Sequence, residues 1–380
     1  NVHAWPTMVF IDPLGYIAYV NTGEPEPLHL LNTVRDALDV YETKGVLKSA
    51  PFTWAQPEIK PTTLRFPAKI KPLPGPTKQW MVADSGHHQI VLLDDNGLEI
   101  ERFGAGRAGC DDGDKSSATF NSPQGLIANN DSIYVADTGN HAIRRIDRFT
   151  GAVTTLCGTG TRGMMLINKF EKAIGRSLAS PWDLELKNHI LFFSNAGTHQ
   201  IGAIDLVENV VRVVAGSGNE GLRDGNPLTT DMAQPSGLAL NSDKSKLFFT
   251  DSETSSIRFI DMDEIKIRTI VGKGLFEFGH SNGAIADAAM QHPLGICLLD
   301  DDRILVADSY NDALRLIDMN TRSVSDMDDH AWQCTDDVCL PFAEPAGIWA
   351  DGETRLLVCD TNNHRIVEIR RDAKTSRKWA

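Results

Sequence analysis

The sequence predicts a mainly β protein whose larger part, residues 62–372, is a six-bladed β-propeller. Three observations predict it. One short motif recurs six times: VADSGHHQI from Val82, VADTGNHAI from Val135, FSNAGTHQI from Phe193, FTDSETSSI from Phe249, VADSYNDAL from Val306 and VCDTNNHRI from Val358. A second element precedes every copy, reading FPAKI at Phe66, SPQGL at Ser122, SPWDL at Ser180, QPSGL at Gln234, HPLGI at His292 and EPAGI at Glu344. Between these landmarks the chain reads as four short strands per unit, which is the sequence signature of propeller blades.

The register of the repeat is set by its third residues, Asp84, Asp137, Asn195, Asp251, Asp308 and Asp360, which are spaced 53, 58, 56, 57 and 52 apart. In the second unit the strands run from Gly125 to Ala128, Ile133 to Ala136, Ala142 to Asp147 and Val153 to Cys157. They are rich in β-branched and apolar residues, and Gly, Asn, Asp and Thr separate them as turn formers. One blade cannot cover both faces of its own sheet, so neighbouring blades must supply the core. The fifth unit departs after Asp318, where a polar stretch replaces the fourth strand, so a short or distorted strand is expected there. The sixth unit leaves little chain for a fourth strand. The segment Thr62 to Phe66 is the candidate to supply it and close the ring, with 373–380 as a C-terminal tail.

Composition sets bounds on partners. Lys and Arg number 37 against 51 Asp and Glu, a formal charge of −14, which weighs against a nucleic-acid partner because such binding relies on basic residues. No run of eighteen apolar residues occurs, so no membrane partner is expected. Six cysteines are scattered over the chain without a Cys-x-x-Cys pair, which excludes a zinc knuckle or redox dithiol among these residues. Cys157 and Cys297 lie in apolar strand patterns as buried small hydrophobes, and Cys334 and Cys339 stand near enough in sequence to close a disulfide.

The blade pattern, Pro-x-Gly followed by VAD-[ST]-x-N-H-x-I-R-x-ID and VxTLxG, resembles the NHL repeat family. Stretches such as FNSPQG, AGTHQI, AGSGNE, AQPSGL, DSETSS and DTNNH resemble, more narrowly, proteins that join a thioredoxin-like domain to an NHL propeller. The N-terminal residues agree: Trp5-Pro6-Thr7, then MVFID, PLGY and IAYVNTG, then an apolar-periodic stretch from Leu28 to Tyr41. These resemble the C-terminal half of a thioredoxin-like α/β fold, here residues 1–45, followed by a linker at 46–61. The resemblance implies that Pro6 is the cis-proline facing the redox cysteines, X-Pro being the one peptide bond for which cis is cheap. It also implies that the Cys-bearing half lies upstream of Asn1.

The repeat positions offer candidate ligands. A ring of aspartates could gather a cation, but Asp at a turn ordinarily accepts bonds from turn amides, and occurrence in every blade favours that structural role. Four residues later stand His88, His141, His199 and His364, with Ser255 and Asp312 in the other two blades. Zinc needs its ligands within about 2 Å of one point, which turn residues spread around a ring do not meet, so no metal site and no cofactor is expected. Glycine-rich loops from Gly104, Gly158, Gly216 and Gly272 lack both the strand–helix context of a dinucleotide fingerprint and the Gly-Lys-Ser/Thr of a P-loop. They are long connections on the face where the Pro-x-Gly elements lie, and loops gathered on a rigid face commonly carry recognition. Arg107, Arg162, Trp182 and Arg223 are the candidate contacts there for a protein partner or small ligand.

No Gly-x-Ser-x-Gly elbow or His-Glu-x-x-His helix is present. The expected function is therefore a non-catalytic binding or scaffold propeller, attached to a thioredoxin-like domain of a thiol–disulfide protein. Two alternatives stand beside it: a metal-dependent propeller hydrolase or lyase, and an RNA-binding propeller.

Overall fold

The computed structural model describes residues 7–22, 27–47, 61–327, 333–334 and 341–380. The chain divides into two compact units, Asn1–Pro61 and Thr62–Ala380. In the first, strands Thr7–Ile11 and Ile17–Thr22 pair antiparallel, and a helix follows at Pro27–Thr43. Asp12 fixes the connecting turn by accepting the amides of Leu14 and Tyr16. Among the described residues this unit shows only that hairpin and helix, and the expected thioredoxin-like half is not visible in it. Pro6, most of the 46–61 linker and a Cys334–Cys339 disulfide lie outside the described residues.

The second unit is the six-bladed propeller. Its first strands, from the axis outward, are Pro67–Leu73, Gly125–Ala128, Pro181–Lys187, Pro235–Leu240, Gly295–Leu298 and Pro345–Asp351. Each packs beside the first strand of the next blade, and that of blade 6 packs beside that of blade 1. Behind each, three more antiparallel strands follow in chain order. Blades 3, 5 and 6 gain a two-residue fifth strand, at Glu171–Lys172, Gly283–Ala284 and Gln333–Cys334. The expected weak outer strand of blade 5 is the four-residue Ser323–Asp326.

Why the blades adhere follows from their alternation. Strands expose apolar side chains to the two neighbouring sheets, and the buried apolar residues fall into six clusters, one at each blade–blade junction. The glycine of Pro-x-Gly lies where adjacent first strands approach. A Cβ built on Gly125 would stand 2.5 Å from the Trp182 carbonyl oxygen, and one on Gly295 would stand 1.9 Å from that of Ala346. Only a residue without a side chain permits that approach.

Ring closure corrects two expectations. Thr375–Lys378 pairs with Arg365–Arg370 as the fourth strand of blade 6, so 373–380 is no tail and Thr62–Phe66 does not supply the strand. The sequence Thr-Ser-Arg-Lys conceals this because an outermost strand needs little apolar surface. The seam between blades 6 and 1 is held by side chains instead. Trp379, 6% exposed, meets Trp80 edge to face at 6.2 Å, and Asp95 accepts from Trp80 Nε1 at 3.1 Å and from Arg355. Truncating Trp379 to alanine should therefore cost about 3 kcal/mol of stability, by analogy with other buried aromatics. Urea denaturation followed by tryptophan fluorescence checks this.

Candidate functional site: the loop-rich face and the central channel

At the loop-rich face each repeat aspartate ends its second strand and accepts, through Oδ1, a backbone N–H from the start of its own blade. The donors are Arg65, Asn121, Ala233, Gln291 and Ala343 for Asp84, Asp137, Asp251, Asp308 and Asp360, at 2.7–2.8 Å, and Asn195 does the same for Ala179 at 2.9 Å. In three blades the other oxygen holds a fully buried arginine on the third strand: Asp137–Arg144, Asp251–Arg258 and Asp308–Arg315, at 2.7–2.9 Å. In blades 1 and 6, Arg102 and Arg365 reach the same oxygen from other positions. Blade 3 has neither partner: Asn195 stands at the aspartate position and Gly202 at the arginine position.

The residue four places after the aspartate makes the bond between blades. His88, His141 and His199 accept through Nδ1 the backbone N–H of Ser122, Ser180 and Gln234 in the next blade, at 3.0–3.1 Å. Ser255 and Asp312 do so for His292 and Glu344, at 3.2 and 2.7 Å. His364 accepts from Phe66 at 3.2 Å, which carries the clasp across the seam and completes the circle. Both ends of every clasp are left-handed. The acceptors have φ of 50–57° and the residues preceding the prolines 47–59°. Histidine and aspartate tolerate that region better than most residues do, and short side chains there can bond locally.

An imidazole that accepts at Nδ1 must be neutral, so protonation opens a histidine clasp. Burial, then Arg65 and His87, lowers the His88 pKa, and burial followed by Arg162 lowers that of His141. His292, stacked on Tyr310 at 4.3 Å, is pushed down by burial to about 4. A histidine with a depressed folded pKa contributes stability that is complete above its unfolded value near 6.5 and is lost as pH falls toward the folded value. From pH 7.5 to 6.0 His292 alone should therefore remove about 1 kcal/mol. Asp137, raised by burial to about 6, opposes this in part as the pH falls through that value. Urea midpoints at the two pH values test the sign. His292→Gln, which copies Gln234 of blade 4, should flatten the slope.

The axis of the ring is closed by charge. Lys69 and Lys71 on the first strand of blade 1 reach over blade 2 to Asp183 and Glu185 on the first strand of blade 3. Lys69, Lys71 and Asp183 are buried. Asp183 also accepts the amides of Leu184 and Leu238, at 2.8 and 2.9 Å. Burial disfavours the Lys71 ammonium, but Glu185 and Asp183 overcome it, and its pKa is raised. Sequence reasoning missed this pair although a signal was present. Lys69 and Asp183 occupy the glycine position of Pro-x-Gly in the two blades that break the motif, FPAKI and SPWDL.

The four candidate contacts are not brought together. Arg107 is exposed and stands 3.8 Å from Asp111. Arg162 donates to the Gly197 carbonyl at 2.9 Å, and Arg223 binds Asp231 at 3.0 Å. Trp182 is half-buried at the narrow end of the channel, beside Lys69 and Asp183. Among the described residues no three His, Cys, Asp or Glu side chains are grouped to hold a metal ion, and no helix is long and apolar enough to cross a membrane.

Comparison with known proteins agrees with this geometry. Residues 120–146 and 290–315 match the NHL repeat family model. Over 96% of its length the chain is 34% identical to Protein SUPPRESSOR OF QUENCHING 1, chloroplastic, of Arabidopsis thaliana, and 34% identical to NHL repeat-containing protein 2 of Gallus gallus. It spans 36% and 55% of those two proteins. A streptogramin B lyase structure shares the fold at 15% identity, with 83% of each chain covered and a TM-score of 0.51. Six copies of one repeat, clasped blade to blade by the repeat's own Asp and His positions, place this chain among the NHL-repeat β-propellers, as a relative of NHL repeat-containing protein 2 and SUPPRESSOR OF QUENCHING 1.

Proposed function

We propose that the propeller is a non-catalytic recognition module that takes a protein partner on its loop-rich face, attached to a thioredoxin-like domain of a thiol–disulfide protein. The observation that carries the recognition reading is the sorting of side chains on that face. Arg65 and Arg162 stand near His88 and His141 on the side of blades 1–3. On the side of blades 4–6, burial and then Glu220 and Asp251 raise the Glu253 pKa, while burial and then Glu344 and Glu253 raise that of Tyr310. Phe276 and Phe278 of the neighbouring loop are 84% and 57% exposed. Exposed aromatics beside a group of carboxylates are what a protein interface uses for anchoring and orientation.

The redox half of the reading rests on two supports. Among the described residues, the propeller's buried thiols are unsuited to exchange, because burial raises Cys157 and Cys297 to about 12 and Cys359 further, and the half-buried Cys110 is raised as well. Thiolate is the reactive form, so thiol chemistry falls to another domain. The N-terminal hairpin and helix expose Val9, Ile11, Val20 and Leu38 at 48–67%, and so small a unit does not bury itself.

The test is capture of partners by the natural full-length protein, with and without Glu253→Lys and Glu344→Lys. A partner lost on charge reversal, at unchanged melting temperature, supports the face. Metal-dependent hydrolysis of esters or lactones by this chain would overturn the non-catalytic reading. An upstream segment without cysteine would remove the redox half. Native Cys157 and Cys297 should stay unmodified by a thiol reagent that labels them fully in denaturant.

A further inference from the structure

We propose that the opposite end of the channel is a separate binding site for a small zwitterion, an α-amino acid with an apolar side chain. On that end the axis opens into a cup of about 330 Å3, to which all six blades contribute. Ile127, Leu186, Leu240, Ile296, Leu298 and Trp349 make its wall. Small-molecule sites run from about 300 to 1,000 Å3, largely apolar with a few convergent polar groups, so this cup admits one small molecule.

The polar groups define its chemistry. At the floor, the buried Lys71 ammonium donates to Glu185 Oε1 and to the Leu184 carbonyl at 3.3 Å, and stands 5.9 Å from the Trp349 ring. Glu185 binds Lys71 through one oxygen, and its other oxygen has no partner among the described residues. From the turn between the first two strands of blade 4, the exposed Lys244 donates one of its three N–H groups, at 3.2 Å, to the carbonyl of Leu186, the residue after Glu185. The cup therefore offers one carboxylate oxygen and ammonium donors from two lysines above an aliphatic and aromatic wall.

Charge selects the ligand. A simple anion finds Lys244 but leaves the second oxygen of Glu185 without a donor, and a simple cation meets Lys71 and Lys244. A metal ion finds one carboxylate between two ammonium groups. A molecule carrying both an ammonium and a carboxylate satisfies both signs: its ammonium sits on Glu185, its carboxylate faces Lys244, and its side chain lies on Ile296, Leu298 and Trp349. An α-amino acid carries both charges and a side chain within the size of this cup.

The test is isothermal titration of the whole chain with L-leucine, and with its two halves, 4-methylpentanoate and 3-methylbutylamine. Leucine should bind once per chain, with each half at least about tenfold weaker, or about 1.4 kcal/mol. Lys244→Ala removes an exposed side chain and should leave the melting temperature in place. It should weaken leucine and the acid by about tenfold and leave the amine unchanged, and Lys244→Arg should restore both. No saturable heat from leucine at about 10 mM, equal affinity for leucine and either half, or unaltered leucine binding by Lys244→Ala would each overturn the proposal. None of these results depends on a partner at the loop-rich face.

Discussion

Asp183→Ala is expected to lower the unfolding free energy by about 4 kcal/mol, because breaking a buried ion pair leaves an uncompensated charge, typically at about 3–5 kcal/mol. Lys69 would then face the channel with no carboxylate, beside the Lys71 ammonium. Lys69→Ala should cost less, about 3 kcal/mol, since Asp183 keeps the amides of Leu184 and Leu238 and the field of Lys71. The sharper test is the double variant Lys69→Gly with Asp183→Gly, which restores Pro-x-Gly in blades 1 and 3. Removing both charges of a buried pair is often close to neutral, though each glycine adds about 0.5–1 kcal/mol of backbone entropy. The double variant should therefore be more stable than Asp183→Ala alone. A double variant whose loss equals the sum of the losses of Lys69→Gly and Asp183→Gly made singly would show that the two charges do not act as a pair.

Asp137→Asn is the second large effect, at about 3 kcal/mol. The amide can still accept from Asn121, but Arg144, wholly buried over Phe120 at 5.4 Å, loses its buried counter-charge and keeps Asp112, which is half exposed. Blade 3 provides the reciprocal experiment. Asn195→Asp places a carboxylate at the same depth with Gly202 where the arginine would be, and it should also destabilise, because an unpaired buried charge is costly in either direction. Adding Gly202→Arg is not a rescue, since a Cβ there would lie 2.3 Å from the Phe193 ring. If Asp137→Asn is neutral at pH 7.5 in urea denaturation, the carboxylate is not what holds Arg144.

These two sites show where sequence reading stops. The repeat positions were legible because each is a local event copied six times: a turn aspartate, a left-handed histidine, a proline after a strained residue. Their pairing across blades was not legible, since Ser122 and His88 are 34 residues apart and nothing local joins them. The same holds for Arg107, Arg162 and Arg223, exposed in glycine-rich loops as the sequence suggests. The fold brings each to a nearby loop carboxylate or carbonyl and not to a common point.

The sequence by itself determined the number of blades, their strand order, the acidic charge and the glycines that let first strands meet, because period, pattern and turn chemistry are carried by neighbours along the chain. Only the tertiary structure decided how the ring closes, with Thr375–Lys378 as the last strand and Trp379 against Trp80. It alone decided that the two broken Pro-x-Gly motifs face each other over a third blade. Lys69 and Asp183 are 114 residues apart, and a contact of that separation exists only once every intervening strand has taken its place in the ring.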